Sequence, residues 1–148
     1  MDTQKLKQLR EETGVSFSLC KKALDESGND LDKAKKLLQE WGVEKAASKG
    51  DRETKEGAIF SYIHHNKKIG VMVSLNCETD FVAKNSDFEE LGKHIAGQIA
   101  FLKPKDVKTL LESDSIREPG KTIDSLIKES ILKIGENITL GEFTRFEI

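Results

Sequence analysis

The chain has 148 residues, with 24 Lys and Arg against 26 Asp and Glu and a formal net charge of −2, a length that suits one ordinary domain or two small ones. Basic and acidic groups are also balanced by region, 10 and 9 over residues 1–50 and 14 and 17 over the remainder. This excludes the clustered positive field on which general binding of nucleic acid or anionic membrane depends. The hydrophobic fraction is only 36% and the charged fraction 34%, but the apolar residues recur periodically, which points to thin amphipathic modules rather than disorder.

The first segment reads as three short helices. Leu6 and Leu9 mark one apolar face before Thr13-Gly14 interrupts the chain. Ser16 can cap a second helix presenting Cys20, Ala23 and Leu24, which stops at Ser27-Gly28. Asn29-Asp30 opens a third, in which Leu31, Ala34, Leu37, Leu38 and Trp41 share a stripe and Gly42 is the expected stop. Three such helices can bury their stripes only against each other, so residues 1–42 are expected to form a three-helix module. Residues 43–55 hold Lys45, Lys49, Asp51, Arg52, Glu53 and Lys55 with few large apolar groups, and read as a charged linker.

Beyond residue 55 the period becomes two. Residues 58–64 and 69–77 alternate, with Ile69, Val71, Val73, Leu75 and Cys77 on one face and a polar hairpin loop at 65–68. A helical period returns with Ser86 and Glu89 as an expected capping box and Phe88, Leu91, Ile95 and Ile99 as a stripe. Pro104 fits the first turn of a short helix through Val107, Leu110 and Leu111. Thr122 can cap a last helix, which carries Ile123, Leu126, Ile127, Ile131 and Ile134 and ends at Gly135. The tail from Asn137 to Ile148 favours a third strand, with Gly141 as a possible bulge. Residues 56–148 are therefore expected to form an α+β module, an antiparallel three-stranded sheet packed with helices.

Chemistry-bearing motifs are absent. No P-loop, G-x-G-x-x-G turn, G-x-S-x-G elbow or H-E-x-x-H helix occurs. Cys20 and Cys77 are far apart and form no C-x-x-C pair, which suits a reducing compartment. On a strand, His64 and His65 would point to opposite faces, while Cys77 on the neighbouring strand could meet one of them. A site from His64, Cys77 and His94 is conceivable but has no recognised ligand spacing. No catalytic residue, metal or cofactor is expected. The polar start of the chain is unlike a signal peptide, and the apolar run at 69–77 is too short to span a bilayer. A cytoplasmic protein is expected, with an organellar matrix as the alternative.

One run stands out. Glu78-Thr79-Asp80-Phe81-Val82-Ala83-Lys84-Asn85 places a large aromatic after an acid, where the strand ends and before the next helix starts. Connections commonly carry binding residues, and a rigid aromatic can anchor in a partner's pocket. The competing expectation is a buried plug closing the sheet–helix seam, which the general burial of phenylalanine favours.

Leu75-Asn76-Cys77-Glu78-Thr79-Asp80-Phe81-Val82-Ala83-Lys84 resembles a signature of the elongation factor Ts family. Leu9 to Phe17, with Cys20-Lys21-Lys22-Ala23-Leu24, resembles that family's N-terminal block, and Ile134-Gly135-Glu136-Asn137-Ile138 its C-terminal landmark. The resemblance implies a three-helix module similar to a ubiquitin-associated domain, followed by an α+β core. It also implies a factor that binds elongation factor Tu carrying GDP and hastens nucleotide release. The implied partner-binding residues are Thr79, Asp80, Phe81 and Val82 in the core, with Arg10, Phe17 and Lys21 in the N-terminal module. Direct contact with nucleic acid or membrane is not implied. A single core copy further implies a homodimer through core-module faces involving the C-terminal strand. Two other readings are an adaptor recognising helical or ubiquitin-like partners and a chaperone of elongation factor Tu without exchange activity.

Overall fold

Short polar side chains set the helix starts in the first third of the chain. The Asp2 carboxylate accepts from the N–H groups of Gln4 and Lys5, Ser16 Oγ from that of Leu19, and Asp30 from that of Lys33, which satisfies donors that have no partner inside the helix. In the computed structural model, which describes residues 2–148, these caps open α1 (Thr3–Thr13), α2 (Phe17–Glu26) and α3 (Leu31–Lys49). Gly14, at φ 66°, closes α1 in the left-handed region that favours glycine. Leu6, Leu9, Cys20, Ala23, Leu24, Ala34 and Leu38 bury their faces against each other, as the stripes require.

Helix α3 does not stop at Gly42, and residues 43–55 are not a linker. The helix continues to Lys49, and only residues 50–55 lack regular structure. Gly42 is a point of close approach to α7 (Ile123–Ile134): a Cβ there would lie 3.3 Å from the carbonyl oxygen of Lys128. Glu44, Lys45 and Ser48 are therefore the solvated side of a helix whose Ala46 packs on the second core, and Lys49 at its end is buried. From the other side, Leu132 of α7 joins the core of the first three helices.

β1 (Glu56–Ile63), β2 (Ile69–Cys77) and β3 (Thr139–Glu147) form an antiparallel sheet in that spatial order, so the expected third strand is present and the fold is α+β. A register shift between Val73 and Leu75 places an extra residue on β3 around Gly141, where a side chain would collide with Ser74 Oγ. Phe60, Val71, Val73, Leu75 and Cys77 project to one face and meet Phe88, Leu91, Ile95 and Ile99 of α5 (Ser86–Leu102). Contact is closest where the Phe60 ring occupies the space a Cβ of Gly92 would need. Arg145 Nε and Nη2 donate to the Ala100 carbonyl at 3.1 and 3.0 Å, tying β3 to the last turn of α5. Among the described residues no helix is long and apolar enough to cross a membrane.

Several local expectations are corrected. The cap of α5 is Asn85, accepting from the N–H groups of Asp87 and Phe88, so Ser86 and Glu89 form no capping box. An Asn side-chain carbonyl one residue earlier takes the first free donors of the helix, so the helix starts one residue sooner. Pro104 lies outside α6 (Val107–Glu112), which starts from Asp106 accepting the Thr109 N–H at 2.7 Å. His64 and His65 follow the end of β1, so strand alternation does not separate them and their rings lie 4.1 Å apart. Cys77 pairs in register with Glu56 at the opposite end of the hairpin from His64. His94 is buried inside α5, and the three form no metal-holding group among the described residues.

His94 Nε2 lies 2.9 Å from Ser115 Oγ, and that oxygen already accepts the N–H groups of Arg117 and Glu118. Its own proton is left for the imidazole, which favours the neutral ring. Burial, with the Arg117 guanidinium nearby, pulls the His94 pKa below its ordinary value, while Glu118 and Glu90 oppose this. The unfolded chain therefore takes up this proton first, near pH 6.5. The contribution of neutral His94 to stability is full above that pH and is lost as pH falls toward the folded pKa. A urea midpoint that declines between about pH 7 and 5.5 should decline less in His94→Asn, as measured by circular dichroism.

Candidate functional site

Chain geometry at the end of β2 leaves little room for choice. Cys77 is buried as the last residue of the central strand, and Phe88 is buried in the first turn of α5. Between them, α4 (Asp80–Ala83) makes a single helical turn. Val82 and Ala83 pack partly against the core beneath, and the opposite side of the turn points outward. Phe81 is on that outer side and is 83% exposed. The buried-plug expectation is therefore wrong: inward positions on so short a helix are taken by Val82 and Ala83, which leaves Phe81 for solvent. Asp80 is exposed beside it, and its carboxylate engages no side chain among the described residues.

A four-residue helix has no intrinsic stability in water, and this one is held by its cap. Thr79 Oγ1 accepts the Val82 N–H at 3.4 Å and donates to Glu136 Oε2 at 2.7 Å. Glu136 Oε1 accepts the backbone N–H groups of Glu78 and Thr79 at 3.1 and 3.0 Å. Glu136 stands in the turn after α7, just past Gly135, whose φ of 90° closes that helix.

The bond pattern is reciprocal. Glu78 Oε2 accepts the Asn137 N–H at 3.0 Å, so each turn's glutamate binds the other turn's backbone. Arg52 reaches Glu78 Oε1 at 3.5 Å, and its carbonyl accepts from buried Asn137 Nδ2 at 2.9 Å. Lys49 at the end of α3 donates to the Gly135 carbonyl. Burial, with Arg52 and Lys45 nearby, lowers the Lys49 pKa, against the pull of Glu78 and Glu136. Cys77 Sγ donates to the Thr79 carbonyl at 3.1 Å. Burial first, and then the Glu136 carboxylate, pushes this thiol's pKa up, so it is not poised as a thiolate.

Arg10, Phe17 and Lys21 belong to the other packing unit. Arg10 is in the last turn of α1, and Phe17 and Lys21 stand four residues apart on one face of α2. Phe17 is 52% exposed and the two cations are exposed. The seven expected site residues therefore form two groups on two modules. The supports Glu136, Glu78, Asn137, Arg52 and Lys49 were not singled out as site residues from the sequence. The available signal was an acid and an amide directly after a glycine helix stop, a place where side chains bind exposed backbone groups.

Residues 78–148 match the family model described as elongation factor TS, and residues 1–50 match that of the N-terminal part of elongation factor Ts, mitochondrial. An elongation factor Ts of Leptospira biflexa is 40% identical, covering 100% of this chain and 98% of that protein. The chain belongs to the elongation factor Ts family. An elongation factor Ts of Thermosipho melanesiensis is 37% identical over 97% of the chain and 96% of that protein. That of Aquifex aeolicus is 45% identical over 96% of the chain but only 51% of that protein. As a member of the elongation factor Ts family, the chain has its role in translation elongation.

Because Phe81 contributes almost nothing to either core, Phe81→Ala should leave stability within about 0.5 kcal/mol of the native chain, the range of an ordinary surface substitution. Chemical denaturation followed by circular dichroism measures this. A loss of about 3 kcal/mol or more, typical of a buried phenylalanine, would contradict the exposed placement.

Proposed function

We propose that the chain is a guanine-nucleotide exchange factor that binds elongation factor Tu carrying GDP and promotes GDP release by disturbing its magnesium and phosphate site. The observation that carries this reading is Phe81, a bare aromatic ring on a turn held from beneath, with Asp80 free beside it. Leaving such a ring in water costs hydrophobic free energy that a partner's pocket recovers.

The role requires no catalytic group on this chain. Factor and GDP each bind the partner, and each weakens the other's binding by the same ratio. A ring inserted near the phosphate site acts as a wedge, and every ~1.4 kcal/mol by which it raises the bound nucleotide relative to the escape barrier speeds release about tenfold. Asp80, next to the ring, can compete for backbone donors at helix ends of the partner. Arg10, Phe17 and Lys21 supply a second grip from the N-terminal module, which sets orientation. The reaction is placed in the cytoplasm, with neither nucleic acid nor membrane taking part.

Release of a fluorescent GDP analogue from elongation factor Tu tests the reading. Catalytic amounts of the chain should accelerate it, and Phe81→Ala should lower the acceleration by about thirtyfold or more, the size of an interface hot spot. Binding without acceleration would instead favour a chaperone of elongation factor Tu.

We further propose that the working form is a homodimer through the core modules. Among the described residues, helices cover one face of the sheet and leave the other bare. In the strand register, Ile59 and Ile63 of β1, Met72 of β2 and Phe146 of β3 all project from that bare face, and all are more than half exposed. Apolar side chains concentrated on one uncovered face mark an interaction surface, and Phe146 brings the C-terminal strand into it. Light scattering at micromolar concentration should give twice the chain mass, and Phe146→Glu should give the single-chain mass. A monomeric native chain with full exchange activity would overturn this assembly.

A further inference from the structure

We propose that Glu136 is a positioning residue for exchange: through Thr79 it fixes the one-turn helix that presents Asp80 and Phe81 to the partner. This inference rests on the wedge reading of Phe81 and extends it to a residue more than 50 positions away in sequence, whose hydrogen bonds go to Glu78 and Thr79.

A wedge transmits force only if its own base is rigid, and α4 is one turn long with its aromatic side bare. Packing of Val82 and Ala83 sets its depth, but a single turn with two small partly buried contacts can still rotate about its axis. Rotation is governed by the Thr79 hydroxyl. One of its lone pairs accepts the Val82 N–H, and its proton goes to Glu136 Oε2 at 2.7 Å. The same carboxylate accepts the two backbone N–H groups entering the turn, at Glu78 and Thr79. Three donors from two successive residues converge on one carboxylate side chain. Hydrogen bonds to a charged acceptor are the shorter and stronger kind. Glu136 is itself fixed, because it follows the Gly135 stop of α7 and its neighbour Asn137 is bound at both ends, by Glu78 Oε2 and the Arg52 carbonyl. The wedge therefore stands on α7, a long helix packed in the core, and not on its own turn.

Glu136→Gln keeps the shape but replaces one acceptor oxygen with an NH₂ group that cannot take the Thr79 proton. Thr79→Val removes the hydroxyl and keeps the branched side chain. The full-length chain is titrated against elongation factor Tu loaded with a fluorescent GDP analogue, and each variant's fold is checked by circular dichroism at the assay temperature. In either variant the maximal release rate should fall about tenfold, the size of one lost hydrogen bond to a charged group. The factor concentration for half effect should rise less than about threefold, since the grip of Arg10, Phe17 and Lys21 is untouched. In a Phe81→Ala background, Glu136→Gln should add less than about twofold, because it acts through the ring it positions.

Full activity of both Glu136→Gln and Thr79→Val beside an impaired Phe81→Ala overturns the inference and leaves the wedge reading standing. An undiminished tenfold loss from Glu136→Gln on top of Phe81→Ala also overturns it, since that is the signature of a merely structural residue. Full activity of Phe81→Ala alone overturns the wedge reading, and this inference with it. Should Glu136→Gln fail to fold, Thr79→Val carries the same comparison.

Discussion

Packing of α5 onto the central strand is the constraint on which the other features depend. Phe88, Leu91, Ile95 and Ile99 must cover Val71, Val73, Leu75 and Cys77, and the Phe60 ring lies against Gly92, where no side chain fits. With β2 and α5 locked face to face, the connection between them has a set span, and one turn of helix fills it. That turn can bury only the side facing the core. Exposure of Phe81 thus follows from how the core closes, and no special feature of the phenylalanine is needed.

The same closure leaves the other sheet face bare. Three strands with one helical layer bury one set of alternating side chains, and the other set, with Ile59, Ile63, Met72 and Phe146, has no second layer among the described residues. Polar ties then substitute for apolar contact where the layers end. Gln98 on α5 binds Ser113, Asp114 and the Ile116 N–H, holding a loop that carries few apolar groups. Glu136 and Glu78 do the same between two turns that meet at the end of the central strand. In both places a buried or half-buried polar side chain satisfies backbone groups that no ladder reaches.

Continuity of α3 changes the relation between the two modules. A flexible tether would let the N-terminal helices sample many orientations. Instead, α3 runs unbroken from the first core into the second, crosses α7 at Gly42, and brings Lys49 to the Gly135 carbonyl. Leu132 reaches back from α7 into the first core. The charged residues after Gly42 misled because a helix exposed on most of its circumference, with small residues on its packed side, has the composition of a linker. A glycine admitted for close packing also reads the same as a glycine placed as a stop.

Local periodicity determined most of the architecture. The apolar stripes of α2, α5 and α7, the alternation in β1 and β2, the caps Ser16, Asp30 and Thr122 and the stops Gly14 and Gly135 depend on residues within a few positions of each other, so they are legible in order along the chain. The run from Glu78 to Lys84 and its two companion blocks were legible as family signatures for the same reason. Three things were decided only by tertiary structure: the outward direction of Phe81, the passage of α3 through Gly42, and the meeting of Glu136 with Thr79 across 57 positions. Each depends on which surface another element covers or which distant backbone group is left without a partner, and neither has a sequence period.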